Sequence, residues 1–109
     1  EADKRVRYWM EKFDLTKVQG ARPFAVTGGQ RKSTVVLRAF IHLPQVVFLD
    51  EPMAALKEDG RKAFAELVEE CMENHSLKRI IFRAERELPL EVKAKELLLG
   101  KTVHVVEAA

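Results

Sequence analysis

Cysteine is nearly absent from this 109-residue chain, where Cys71 stands alone. A single cysteine excludes an intrachain disulfide framework and any cysteine-rich metal site, and it fits a reducing compartment. Aromatic residues make up only 7%, and there are five glycines and four prolines. No low-complexity tract or internal repeat is visible. No apolar stretch approaches the roughly 18–20 residues of a membrane helix; the longest, Val46-Val47-Phe48-Leu49, has the length of a strand. The excess of Lys and Arg over Asp and Glu is 19 − 17 = +2, too small by itself to point to nucleic acid. No secretory leader is visible, and the chain opens on Glu1 rather than Met, as a processed product or a piece of a longer chain would. The expected setting is intracellular, in cytoplasm or an organellar matrix.

A hydrophobic share of 47% and a charged share of 33% fit a soluble globular protein and argue against disorder. The length allows one domain, able to bury roughly 60–70% of the surface of its unfolded chain.

Periodicity supplies the elements. Val6, Trp9, Met10 and Phe13 recur at helical spacing and predict a first helix with its apolar stripe in the core, Asp3 as N-cap, and Lys4, Arg5 and Arg7 facing water. Asp14 to Thr27, with Gly20 and Pro23, reads as a short helical turn and a loop. Arg31 to His42 is helical around Val36, Leu37, Phe40 and Ile41, with Arg31 and Lys32 on a solvated face. Leu43-Pro44 stops that helix, since proline disfavours helical geometry in the residue before it. Gln45 to Asp50 is apolar and β-branched without alternation, which predicts a strand buried on both faces of a parallel sheet. A helix follows over about Glu58–Glu73, with Phe64, Leu67, Val68, Cys71 and Met72 on its apolar side. A second buried strand is predicted over Arg79–Phe82. Strands near Glu96–Leu99 and Thr102–Val106 flank Gly100-Lys101 as a hairpin. This order indicates a layered α/β fold.

Two places can carry chemistry. At Thr27-Gly28-Gly29-Gln30, two glycines open a helix and leave the backbone accessible. The N–H groups of a first helical turn lack internal partners and carry partial positive charge, so an anion, above all a phosphate, is the natural guest. The alternative is a Thr27 cap with the glycines forming a turn. At Val46 to Pro52, an apolar strand ends in Asp50-Glu51. That places two carboxylates at the C-terminal edge of a sheet, where open α/β folds bind ligands. One carboxylate can hold Mg²⁺ and its neighbour can polarise water for attack on a phosphoryl group. The alternative is an acidic pair opening a solvated loop.

Taken together, Val26 to Pro52 resembles the signature-to-Walker-B block of ATP-binding-cassette (ABC) ATPases. Val26-Thr27-Gly28-Gly29-Gln30 is similar to that family's LSGGQ signature. Val47-Phe48-Leu49-Asp50-Glu51-Pro52 is similar to its Walker B strand and catalytic glutamate. Arg38-Ala39 and the turn from His42 to Pro44 also match, and Leu97 to Val106 resembles the terminal hairpin. The resemblance implies a partial P-loop NTPase-like layered α/β fold, with a helical signature subdomain, parallel core strands and a C-terminal hairpin. Residues 1–109 would form the C-terminal half of the ATP-binding domain, 1–44 its helical and signature part and 45–109 the run from Walker B to the last strands. ATP and Mg²⁺ are the implied cofactors. Asp50 would hold the metal, Glu51 would act as general base, and Thr27, Gly28, Gly29 and Gln30 would clasp the γ-phosphate of a nucleotide held by a facing subunit in a head-to-tail pair.

Departures bear on activity. No G-x-x-x-x-G-K-[ST] is present, so a P-loop would come from a partner ABC subunit or an N-terminal half. In the loop after Walker B, Lys57 stands where the family has an acid. Ala84 falls where a switch histidine is expected, with Arg83 beside it. Leu88-Pro89-Leu90 resembles a stretch of the soluble photorepair-type proteins. A non-catalytic ABC-like scaffold module and an isolated or engineered half-domain are therefore the competing readings. His42, His75 and His104 are not spaced for a metal site, and Cys71 reads as a core residue.

Overall fold

The computed structural model describes residues 2–18, 20, 27–84, 95–99 and 103–108. Helix α1 runs over Ala2–Lys12, a 3₁₀ turn over Thr16–Val18, α2 over Gly28–Phe40, strand β1 over Val46–Asp50, α3 over Glu58–Asn74, and β2, β3 and β4 over Arg79–Arg83, Lys95–Leu99 and Val103–Glu107. The four strands form one sheet in the order β1-β2-β4-β3. β1 and β2 are parallel, while β4 is antiparallel to both β2 and β3. The result is a mixed α/β domain with the expected parallel pair and terminal hairpin; the turn at Gly100-Lys101 lies outside the described residues.

The core forms where three helical stripes meet one sheet face. Trp9 and Phe13 from the first helical segment, Val36, Leu37 and Phe40 from α2, and Phe64, Leu67, Val68 and Cys71 from α3 are buried with Val47, Ile80, Phe82 and Val106. Phe40 and Phe64 meet edge to face, their centroids 6.1 Å apart, a favoured aromatic geometry. His104 is buried on the same sheet face and stacks on Phe82 at 4.9 Å, so it is a packing residue. Burial also pushes the Cys71 thiol up to about 11, which keeps it protonated and unsuited to ligation or nucleophilic attack.

The structure corrects three expectations here. β1 is buried on one face only: Val47 is buried, while Val46 and Phe48 are exposed, Phe48 at 73%. The physical reason is layer count, because the helices contribute to the core on the Val47 side and no described helix covers the other. Asp3 is not the N-cap but lies in the first turn of α1, where its charge still suits the helix dipole. Arg5 is half-buried, and its Nη2 donates to the Ile41 carbonyl at 2.9 Å, satisfying an open acceptor beyond the end of α2. α2 starts at Gly28, so the two glycines open the helix as expected and the alternative of a glycine turn does not hold. No helix among the described residues is long and apolar enough to cross a membrane.

Candidate functional site

The start of α2 is held by a reciprocal cap. Thr27 Oγ1 accepts from the Gln30 N–H at 3.1 Å, and Gln30 Oε1 accepts from the Thr27 N–H at 2.9 Å. This T-x-x-Q capping box satisfies two open donors with side chains from the same motif. Gly28 and Gly29, the first two helical residues, carry N–H groups that meet no acceptor among the described residues. Both the cap and the open amides are therefore present, with the glycines in the helix and not in a turn.

The loop after β1 closes over the same helix end. A Cβ added to Gly29 would lie 2.9 Å from the Ala55 carbonyl oxygen, whereas one on Gly28 would meet nothing within 4 Å. Thr27, Gly29 and Gln30 share a cavity of about 390 Å³ with Ala55 and Lys57. Lys57 is the N-cap of α3 but makes no side-chain cap, and a cation there opposes the helix dipole; Glu58 and Asp59 in the first turn offset it. Gly29→Ala is expected to lower stability by about 1–3 kcal/mol through backbone overpacking. Gly28→Ala is expected to be neutral or to stabilise by up to about 1 kcal/mol through helix propensity. Urea denaturation of the two variants checks this, and equal shifts would contradict the Ala55 contact.

At the tip of β1, the parallel register pairs Asp50 with Arg83. Arg83 Nε donates to Asp50 Oδ1 at 2.7 Å, and Arg83 Nη1 lies 3.9 Å from Glu51 Oε1. The Glu51 N–H donates to the Arg83 carbonyl at 2.7 Å. Glu51 has φ +48, in the left-handed region that costs a side-chain-bearing residue about 1–2 kcal/mol. Such strain persists where surrounding contacts over-determine it, often at functional positions.

Among the described residues, the two candidate places line separate cavities. Asp50 borders a groove of about 340 Å³ on the outer sheet face with Phe48, Ile81, Arg83 and Val103, apart from the cavity at Thr27 and Gly29. They are linked through Lys32 of α2, whose Nζ donates to the Asp50 carbonyl oxygen at 2.9 Å. Lys32 is thus no purely solvated residue; helical periodicity gives no signal for that contact, because its partner lies 18 residues away. Ala84, at the position expected for a switch histidine, is fully buried. Val26, Glu85 and Leu88-Pro89-Leu90 lie outside the described residues. Among the described residues, no group of three or more His, Cys, Asp or Glu side chains could hold a metal. One or two carboxylates do suit Mg²⁺ when phosphates and water complete its octahedron, and Asp50 with Glu51 fits that limited role.

A glycine-opened helix end and an acid-tipped parallel strand sit in one mixed α/β domain, and comparison with known proteins bears on its class. No family model matches the chain. The lipoprotein-releasing system ATP-binding protein LolD of Idiomarina loihiensis is 25% identical over 104 residues, 95% of this chain and 46% of its own length. The trehalose/maltose import ATP-binding protein MalK of Thermococcus litoralis is 39% identical over 56 residues, 51% of this chain and 15% of its own. A protein of Archaeoglobus fulgidus, provisionally named an ABC transporter ATP-binding protein, is 27% identical over 110 residues, 100% of this chain and 44% of its own. These similarities support part of an ABC ATPase domain. The chain spans less than half the length of these curated relatives.

Proposed function

We propose that this chain contributes the signature helix and the acidic strand tip to ATP binding and hydrolysis by an ABC-type assembly. The P-loop comes from further polypeptide or from a paired subunit. Residues 1–44 form its helical and signature part, and residues 45–109 run from Walker B to the terminal strands. The observation that carries this reading is the start of α2. The side chains of Thr27 and Gln30 brace the helix end, while the Gly28 and Gly29 amides keep no acceptor among the described residues. Donors braced in this way are preorganised for a phosphate and need no pocket of their own around the nucleotide base. They suit the γ-phosphate of an ATP seated mainly on the facing subunit.

Asp50 would hold Mg²⁺, which when bound with the nucleotide neutralises phosphate charge. Glu51, one residue on and fixed at the edge of the sheet, orients and deprotonates the attacking water. The separation of the α2 cavity from the Asp50 groove supports an arrangement in which the two motifs serve different nucleotides of a head-to-tail pair. The exposed Val46 and Phe48 support further polypeptide on the outer sheet face, since apolar residues on an edge strand invite cover.

A second reading, a non-catalytic ABC-like scaffold module, is favoured by the buried Ala84 and by the reversed charge at Lys57. One experiment separates them. The purified chain is mixed with a P-loop-bearing ABC ATP-binding subunit, and association is measured by analytical ultracentrifugation with and without Mg-ATP. Tighter association with ATP, and no ATP turnover by the chain alone, are expected. Equal association in both conditions would leave only the scaffold. Turnover by the chain alone, abolished by Glu51→Gln, would overturn the dependence on a P-loop from elsewhere.

A further inference from the structure

We infer that Arg83 is a positioning residue that holds the place of a divalent cation at the tip of β1, so that a cation reaching Asp50 has to displace it. The inference rests on the reading of Asp50 as the metal carboxylate. The parallel register sets Asp50 and Arg83 side by side at the C-terminal end of the sheet, on strands whose spacing is about 4.8 Å. One guanidinium spans both acids: Nε reaches Asp50 Oδ1 at 2.7 Å, and Nη1 lies 3.9 Å from Glu51 Oε1. The short contact is a charge-assisted hydrogen bond, stronger than a neutral one. Lys32 Nζ adds a second positive charge at the Asp50 carbonyl, 2.9 Å away. Among the described residues, two carboxylates thus face two cations. Together these four groups carry little net charge to attract a free divalent ion, and one oxygen of Asp50 is already engaged.

The same geometry makes the hold exchangeable. The side chains of Arg83 and Asp50 are 47% and 73% exposed, and exposed pairs are weak and screened by salt. The Arg83 backbone is pinned by strand pairing and by the Glu51 N–H, 2.7 Å from its carbonyl, so a released guanidinium stays at the tip. A planar guanidinium binds phosphate as readily as carboxylate. A cation arriving with a phosphate therefore allows a swap, in which Asp50 passes to the cation and Arg83 passes to the phosphate. A cation arriving alone offers Arg83 no new partner and binds poorly.

The test uses Mn²⁺ as a paramagnetic probe on the full chain at low ionic strength. Broadening of the Asp50 and Glu51 amide signals is followed by ¹H–¹⁵N NMR, and affinity by equilibrium dialysis. Arg83→Gln is expected to bind Mn²⁺ at Asp50 about tenfold more tightly than the unaltered chain, the order expected from removing one unit charge a few ångströms from a divalent ion. The gain shrinks as salt is raised. Arg83→Ala repeats the comparison without a polar amide. Arg79→Gln removes the same charge from the far end of β2, where Arg79 pairs with Glu107 at 2.9 Å, and leaves Mn²⁺ binding near that of the unaltered chain. A merely structural Arg83 would give weaker binding on removal. Asp50-dependent binding that is no tighter in Arg83→Gln and Arg83→Ala would overturn this inference and leave Asp50 as the metal carboxylate. Broadening that bypasses Asp50, or that survives Asp50→Asn, would overturn the reading of Asp50 itself.

Discussion

Replacing Phe64 by alanine is expected to lower the stability of the domain by about 3–5 kcal/mol, the range for deleting a fully buried aromatic ring. Phe64 has no exposed surface, and its ring meets Phe40 at 6.1 Å and 70°. Phe40 ends α2, the helix that carries Thr27, Gly28, Gly29 and Gln30 at its other end. The truncation therefore removes transfer energy, leaves a cavity and loosens the helix that presents the signature donors. A domain of this size is stable by about 5–15 kcal/mol in total, so about a fifth or more of the margin is at stake. Urea denaturation followed by circular dichroism checks the value. Phe48→Ala is the control, because Phe48 is 73% exposed and its truncation should stay within about 0.5 kcal/mol. A similar loss at both positions would contradict the one-sided burial of β1.

Glu51→Gln is expected to reduce ATP turnover by an assembly of this chain with a P-loop-bearing subunit by about 10²–10⁴-fold, the usual worth of a positioned general base. Glutamine keeps the size of the side chain and its capacity to hydrogen-bond, but it cannot accept a proton from water. The backbone at position 51, at φ +48 and tied to the Arg83 carbonyl, holds the end group at the sheet edge whether it is carboxylate or amide. The substitution therefore tests chemistry more than shape, and ATP-dependent association should survive it. Single-turnover hydrolysis with the paired subunits gives the measurement. Turnover within threefold of the unaltered chain would assign the base elsewhere.

The elements were legible because their signals are local. The stripe Val6-Trp9-Met10-Phe13, the apolar side of α3 and the run Arg79–Phe82 each announce themselves by spacing, and the structure places helix, helix and strand there. The cap at Thr27 was equally legible, since T-x-x-Q is a contiguous device. The outer face of β1 was not. Val46-Val47-Phe48-Leu49 is uniformly apolar, which a strand covered on both sides explains, but local sequence does not count the layers that pack on it. The roles of Lys32 and Arg83 were also hidden, because each contacts Asp50 across a long separation in the chain.

By itself, then, the order of residues determined the helices, the strands, the braced glycine pair and the acidic end of β1, because each depends on neighbours within a turn or two of backbone. Only the tertiary arrangement decided that the outer face of β1 is exposed at Val46 and Phe48, that the loop at Ala55 presses on Gly29, and that Arg83 and Lys32 meet at Asp50. Those outcomes depend on register and on which helix lies over which strand. They are set by burying many distant side chains at once, and no short window of sequence contains them.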